Sequence, residues 1–91
     1  MAIEVRVPTV LRKHTAGERR VSGEGDDLRD LIDDLGARHN GLRGALVDDE
    51  GKLHRFINVY VNDEDVRFMK GIDTPLSDGD VVSILPAVAG G

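Results

Sequence analysis

A chain of 91 residues can enclose one hydrophobic core and leaves no length for a second, so a single domain of modest stability is expected. An apolar fraction of 40% beside 32% charged residues argues against disorder over most of the length, and no apolar run approaches the roughly 20 residues of a membrane helix. The net charge of −5, with basic residues interleaved among acids, disfavours nucleic acid as the main partner, and the absence of cysteine excludes disulfides, thiolate metal sites and a cysteine nucleophile.

Met1-Ala2-Ile3-Glu4 does not form a signal peptide, and the chain reads as cytoplasmic. From Ile3 to Val7 apolar and charged residues alternate, which predicts a strand with Ile3, Val5 and Val7 on one face and Glu4 and Arg6 on the other. Pro8 ends it. A connection longer than a tight turn leads to a second strand near Arg19 to Ser22, so the chain opens with a hairpin.

From Asp27 the period changes to 3.6, because Leu28, Leu31, Ile32 and Leu35 fall at i, i+3, i+4 and i+7 of a helix. Asp26 is the expected N-cap. Asp27 and Asp30 suit the positive end of the helix dipole, Arg38 and His39 suit the negative end, and Asn40-Gly41 terminates the helix. Its apolar stripe must rest on a sheet, since no second long helix is available. Residues 41–47 could add a helical turn, which their two glycines weaken.

The strongest strand signal lies within "HRFINVYVND", where Ile57, Val59 and Val61 share one face and Phe56, Asn58, Tyr60 and Asn62 the other. Asn62 to Asp65 then turns the chain into Val66-Arg67-Phe68, and a turn at Gly79 leads to a last strand from Val81 to Leu85. Two strands, one helix and a closing set of strands predict an α+β fold of the ubiquitin-like β-grasp type, a mixed sheet packed on one main helix. A ferredoxin-like fold would need a second helix of comparable length, for which 41–54 is a poor candidate.

Pro86 is expected to interrupt strand pairing, which divides the chain into a domain over 1–86 and a flexible tail over 87–91. Ala87, Val88, Ala89, Gly90 and Gly91 offer little surface to bury. Six residues past Leu85 reach roughly 20 Å at about 3.3 Å each, enough to enter a cleft on another protein. With no Cβ to obstruct it, a terminal glycine suits a reaction at the α-carboxylate itself. A carboxylate is a poor electrophile and requires activation, commonly by adenylation, and nothing in the sequence resembles a phosphate-binding loop that could perform it.

"LPAVAGG" preceded by "DGDVVSI" resembles the end of the ubiquitin-like sulfur carriers of the ThiS/MoaD type. With "VPTVLRKHT" and "GKLHRFINVYVNDEDVRF" the resemblance covers nearly the whole chain and is strongest to the carriers of cysteine biosynthesis, the CysO type. It implies that the chain is a protein substrate, not an enzyme. Gly91 would be adenylated by an enzyme related to the ubiquitin activators, with sulfur then replacing AMP to give a thiocarboxylate. In the cysteine branch a pyridoxal-phosphate synthase supplies the sulfur acceptor and a zinc metallopeptidase releases the cysteine formed. ATP and magnesium belong to the activating partner, pyridoxal phosphate and zinc to the later ones, and none is implied for this chain. Free, it is expected to be a monomer.

Phe56, Tyr60 and Leu85 fall on the sheet face away from the helix and form the expected docking patch for these partners. The competing reading folds residues 40–54 over them as a minor core. Asp48-Asp49-Glu50 and Asp63-Glu64-Asp65 lack calcium-loop spacing and read as solvated turns, and His14, His39 and His54 show no metal-ligand pairing. Gly23-Glu24-Gly25 lacks the rest of a phosphate-binding fingerprint, and Ser22, Ser77 and Ser83 lack a nucleophile elbow. Within the resemblance, the thiamine thiazole and molybdopterin stay open as alternative destinations of the sulfur, and two rivals to the sulfur carrier are a modifier conjugated to lysines and a binding module with an incidental glycine ending.

Overall fold

The computed structural model describes residues 2–87; Met1 and residues 88–91 lie outside the described residues. Alternation at the start of the chain builds β1 (Ala2–Arg6), whose Ile3 and Val5 are fully buried. It pairs antiparallel with β2 (Arg20–Glu24), Val5 standing opposite Val21 and Arg6 opposite Arg20. The long connection between them is not irregular: Thr9–His14 forms a 3-10 helix that pushes Leu11 into the core.

The 3.6-residue stripe forms α1 (Leu28–Arg38) as expected, with Leu28, Leu31, Ile32 and Leu35 buried against the sheet. The N-cap is Asp27 rather than Asp26. Asp27 is extended and its side chain accepts the Asp30 N–H at 2.8 Å, while the Asp26 carbonyl accepts the Leu76 N–H at 2.9 Å. Asp26 is therefore tied to a distant segment, which local sequence could not disclose. Gly23 and Gly25 explain the close seat of the helix: a Cβ on Gly25 would stand 2.5 Å from the Leu31 nitrogen, and one on Gly23 2.6 Å from a Leu31 methyl. Their small size serves packing. A short helix, α2 (Leu42–Leu46), follows from Gly41, whose φ of +87° favours glycine, and it buries Leu42 and Leu46 beside α1.

Next comes β3 (Ile57–Val61), which alternates as read, Ile57, Val59 and Val61 being buried. It turns through Asn62 and Asp63, both at positive φ, into the two-residue β4 (Glu64–Asp65). Asn62 thus leaves the strand face assigned to it. Its side chain instead clips the start of the last strand, accepting the Val81 N–H at 3.0 Å and donating to Asp80 at 2.9 Å. Val66–Phe68 forms a 3-10 turn capped by the Asp65 carboxylate.

The last strand, β5 (Val81–Pro86), lies in the middle of the sheet, in the order β2-β1-β5-β3-β4. It runs parallel to β1 and antiparallel to β3. This is the ubiquitin-like β-grasp arrangement, with α1 packed across one face. Among the described residues no helix is long and apolar enough to cross a membrane.

Pro86 does not interrupt pairing as the sequence suggests. It stands opposite Ile57, and the next residue, Ala87, donates its N–H to the Phe56 carbonyl at 2.8 Å. In an antiparallel pair, bonded and non-bonded positions alternate, so Pro86 occupies a position whose nitrogen faces away from β3. On that side the parallel ladder with β1 runs only from Val81 to Ser83, so the missing N–H leaves no ladder bond unmade.

Candidate functional site

Because β5 is central, its end at Pro86 is fixed by neighbours. Phe56 and Ala87, Asn58 and Leu85, and Tyr60 and Ser83 form successive cross-strand pairs. Alternation turns Val82 and Ile84 into the core and leaves Leu85 on the open face, diagonal to both aromatic residues. Phe56 is 59% exposed and Leu85 48% exposed, while Tyr60 is half-buried. The covering loop does not form: α2 carries residues 42–46 to the helix side of the sheet, and the end of that segment reaches the patch. There His54 stacks on Phe56, ring centroids 4.6 Å apart and planes 17° from parallel. The His54 Nε2–H donates to the Gly44 carbonyl at 2.9 Å, which fixes the imidazole under the phenyl ring. Asn58 sits between the aromatics, and its enclosed Oδ1 meets no donor among the described residues.

Ala87 is half-buried and hydrogen bonded, so a ladder bond lies one residue past the 86/87 division drawn from sequence. Val88, Ala89, Gly90 and Gly91 lie outside the described residues.

Beside this patch the open face carries a feature the sequence did not disclose. A groove of about 790 Å³ runs along Leu85 and Tyr60 and is walled by Arg6, Arg12, Arg19 and Arg20, with Asp63 at its rim. Arg12 is held by an Nε–H bond to the Val7 carbonyl at 3.1 Å, and Arg6 by Glu4 at 3.0 Å. Elsewhere the guanidinium groups of Arg29, Arg38, Arg43 and Arg67 pair with Asp73, Asp34, Asp33 and Asp65 at 2.7–2.9 Å, while Arg55, outside the groove, pairs with no carboxylate among the described residues. Among the described residues Arg12, Arg19 and Arg20 have no such carboxylate. The one local signal was the Arg19-Arg20 dipeptide; its convergence with Arg6 and Arg12 depends on strand register and on the 3-10 turn.

The remaining candidates resolve into structural roles. Asp48 accepts the Glu50 and Lys52 N–H groups at 2.9 and 3.0 Å, which holds its carboxyl below the usual range, chiefly through Lys52. Asp65 is held low by its side-chain bond to Arg67 at 2.7 Å and by the Arg67 N–H. Among the described residues no three potential metal-ligating side chains converge. Ser83 lines the groove.

The sequence matches the ThiS family over residues 5–91. It is 55% identical, over 93 aligned positions that cover all of both chains, to the protein named sulfur carrier protein CysO of Mycobacterium tuberculosis (strain ATCC 25618 / H37Rv). The fold is similar to a chain in the crystal structure of the Amycolatopsis orientalis BexX/CysO complex, with a TM-score of 0.90, 55% identity, and 98% of this chain and 99% of that one covered. Small archaeal modifier protein 3 of Haloferax volcanii is 35% identical over 94 positions, again covering all of both chains.

Proposed function

Since the chain belongs to the ThiS family, we infer that it is a sulfur carrier of cysteine biosynthesis, a protein substrate for other enzymes rather than an enzyme. The observation that carries this reading is the end-to-end similarity to a sulfur carrier at 55% identity, with the family match extending through Gly91. The reacting group is the Gly91 carboxylate. In a partner of the ubiquitin-activator type it attacks the α-phosphorus of ATP and displaces pyrophosphate, and a sulfur nucleophile then expels AMP to leave a thiocarboxylate.

Gly90, Ala89, Val88 and Ala87 form the narrow lead-in to that group. With Ala87 bonded to Phe56, the four residues beyond it span at most roughly 13 Å at about 3.3 Å each, shorter than the reach estimated from Leu85. An activating site must therefore draw close to the sheet, and Phe56, Tyr60 and Leu85 are the surface it would meet.

The thiocarboxylate sulfur next adds to an aminoacrylate made by a pyridoxal-phosphate synthase. The S-acyl cysteine so formed rearranges by an S-to-N shift into an amide, and a zinc metallopeptidase cleaves that amide to return the carboxylate. The test is intact mass: thiocarboxylated chain incubated with such a synthase and its activated serine substrate should gain the mass of one aminoacrylate, which leaves it one cysteine residue heavier than the carboxylate form. The relative named as a modifier supports a second reading, in which the activated carboxyl passes to lysine amines. Lysine-linked conjugates without any cysteine adduct would decide for that reading and against the first.

A further inference from the structure

We propose that the arginine groove beside the exit of β5 receives an acidic, Asp/Glu-rich segment of the enzyme that activates the tail. Three observations converge on it. The groove is lined by four arginines and one acidic residue, Asp63, although the chain as a whole carries a net charge of −5. Arg12, Arg19 and Arg20 have no acidic partner among the described residues, whereas the arginines of the helix side are paired. Arg6 and Arg20 stand directly opposite each other on neighbouring strands, an arrangement of like charges that opposes folding and is relieved only in part by Glu4.

Carboxylates match this wall well, because planar guanidinium groups bind them in two-pronged fashion. A long nucleic acid fits less well, since the acidic remainder of the surface repels it. The position fits a tail-handling partner: Leu85 and Tyr60 belong both to the groove and to the surface at the root of the tail. Charge here would act chiefly on encounter and orientation, leaving the chemistry at Gly91 unchanged.

The identity of the partner rests on the sulfur-carrier reading, and two experiments keep the proposals separable. In the first, the isotope-labelled full chain is titrated with a poly-glutamate peptide and, separately, with oligouridylate, and amide shifts are followed by NMR. The peptide should shift Arg6, Arg12, Arg19, Arg20, Tyr60 and Leu85. The shifts should vanish in Arg19→Glu/Arg20→Glu and in about 1 M salt, where the Debye length falls to about 3 Å. Peptide shifts located elsewhere, none at all, or tighter binding of oligouridylate overturn the groove assignment.

In the second, loading of the chain by an adenylating enzyme with ATP and sulfide is measured. Arg19→Gln/Arg20→Gln should raise KM on the order of tenfold with kcat unchanged, and unchanged thermal melting should show that the fold is retained. Equal KM for both chains contradicts the groove proposal alone. Failure of the unmodified chain to load contradicts the sulfur-carrier reading and leaves the titration as the test of the groove.

Discussion

The two faces of the sheet share one backbone and one alternation yet carry different chemistry. Toward α1 stand Ile3, Val5, Ile57, Val59, Val61, Val82 and Ile84, all nearly inaccessible, and outside the helix arginines and aspartates are matched in pairs. On the open face stand Arg6, Arg20, Tyr60 and Leu85, with two arginines opposite each other in the strand register and aromatic surface left uncovered. The helix face satisfies its own groups and is needed for folding. The open face leaves groups unmatched beside the point where the chain departs, the pattern expected of a surface completed by another molecule.

The contrast can be tested by substitutions that should move loading without stability, or the reverse. Gly90→Val should abolish thiocarboxylation by an adenylating enzyme, because a branched Cβ obstructs entry to a narrow site, while thermal melting stays unchanged. A fully loaded variant would show that slimness there is irrelevant. Leu31→Ala, at a fully buried position, should cost roughly 2–5 kcal/mol in chemical denaturation. Its counterpart on the open face, Phe56→Ala, should stay within about 0.5 kcal/mol and instead raise KM for loading. A large stability loss at Phe56 would make the patch part of the core after all.

Smaller effects sharpen the helix side. Asp27→Ala removes the cap acceptor and should cost about 1 kcal/mol, whereas Asp26→Ala keeps the backbone carbonyl that binds Leu76 and should be close to neutral. The smallest effect is acid-dependent. Asp48 and Asp65 have folded-state pKa values depressed below the ordinary aspartate value of 3.8, so their contribution is complete above that value and is lost as pH falls through the folded pKa. Stability of Asp48→Asn and Asp65→Asn followed below pH 3.8 should therefore fall less steeply than that of the unaltered chain.

Sequence periodicity placed the centre of the core: the stripe from Leu28 to Leu35 and the alternations at Ile3 to Val7 and Ile57 to Val61 define its buried face, while Leu11, Leu42 and Leu46 join it from short helices. Local signals failed where a group answers to a distant partner. The carbonyl of Asp26 serves Leu76, and Asn62 leaves its strand to clip Val81. Pro86 is tolerated because β1 has already ended its pairing with β5. The patch of Phe56, Tyr60 and Leu85 was legible from strand alternation alone. The groove was not, because its walls come from residues 6, 12, 19, 20, 60 and 85, which only the sheet order brings together.

The most direct measurement is the intact mass of the chain after incubation with an adenylating enzyme, ATP and sulfide, beside a chain lacking Gly91. Replacement of one oxygen by sulfur in the first and none in the second is expected. With no internal thiol to compete, an alkylating reagent should then mark only the terminal residue. Sulfur gained by the truncated chain, or alkylation at any other position, would contradict the assignment of Gly91 as the sulfur-bearing group.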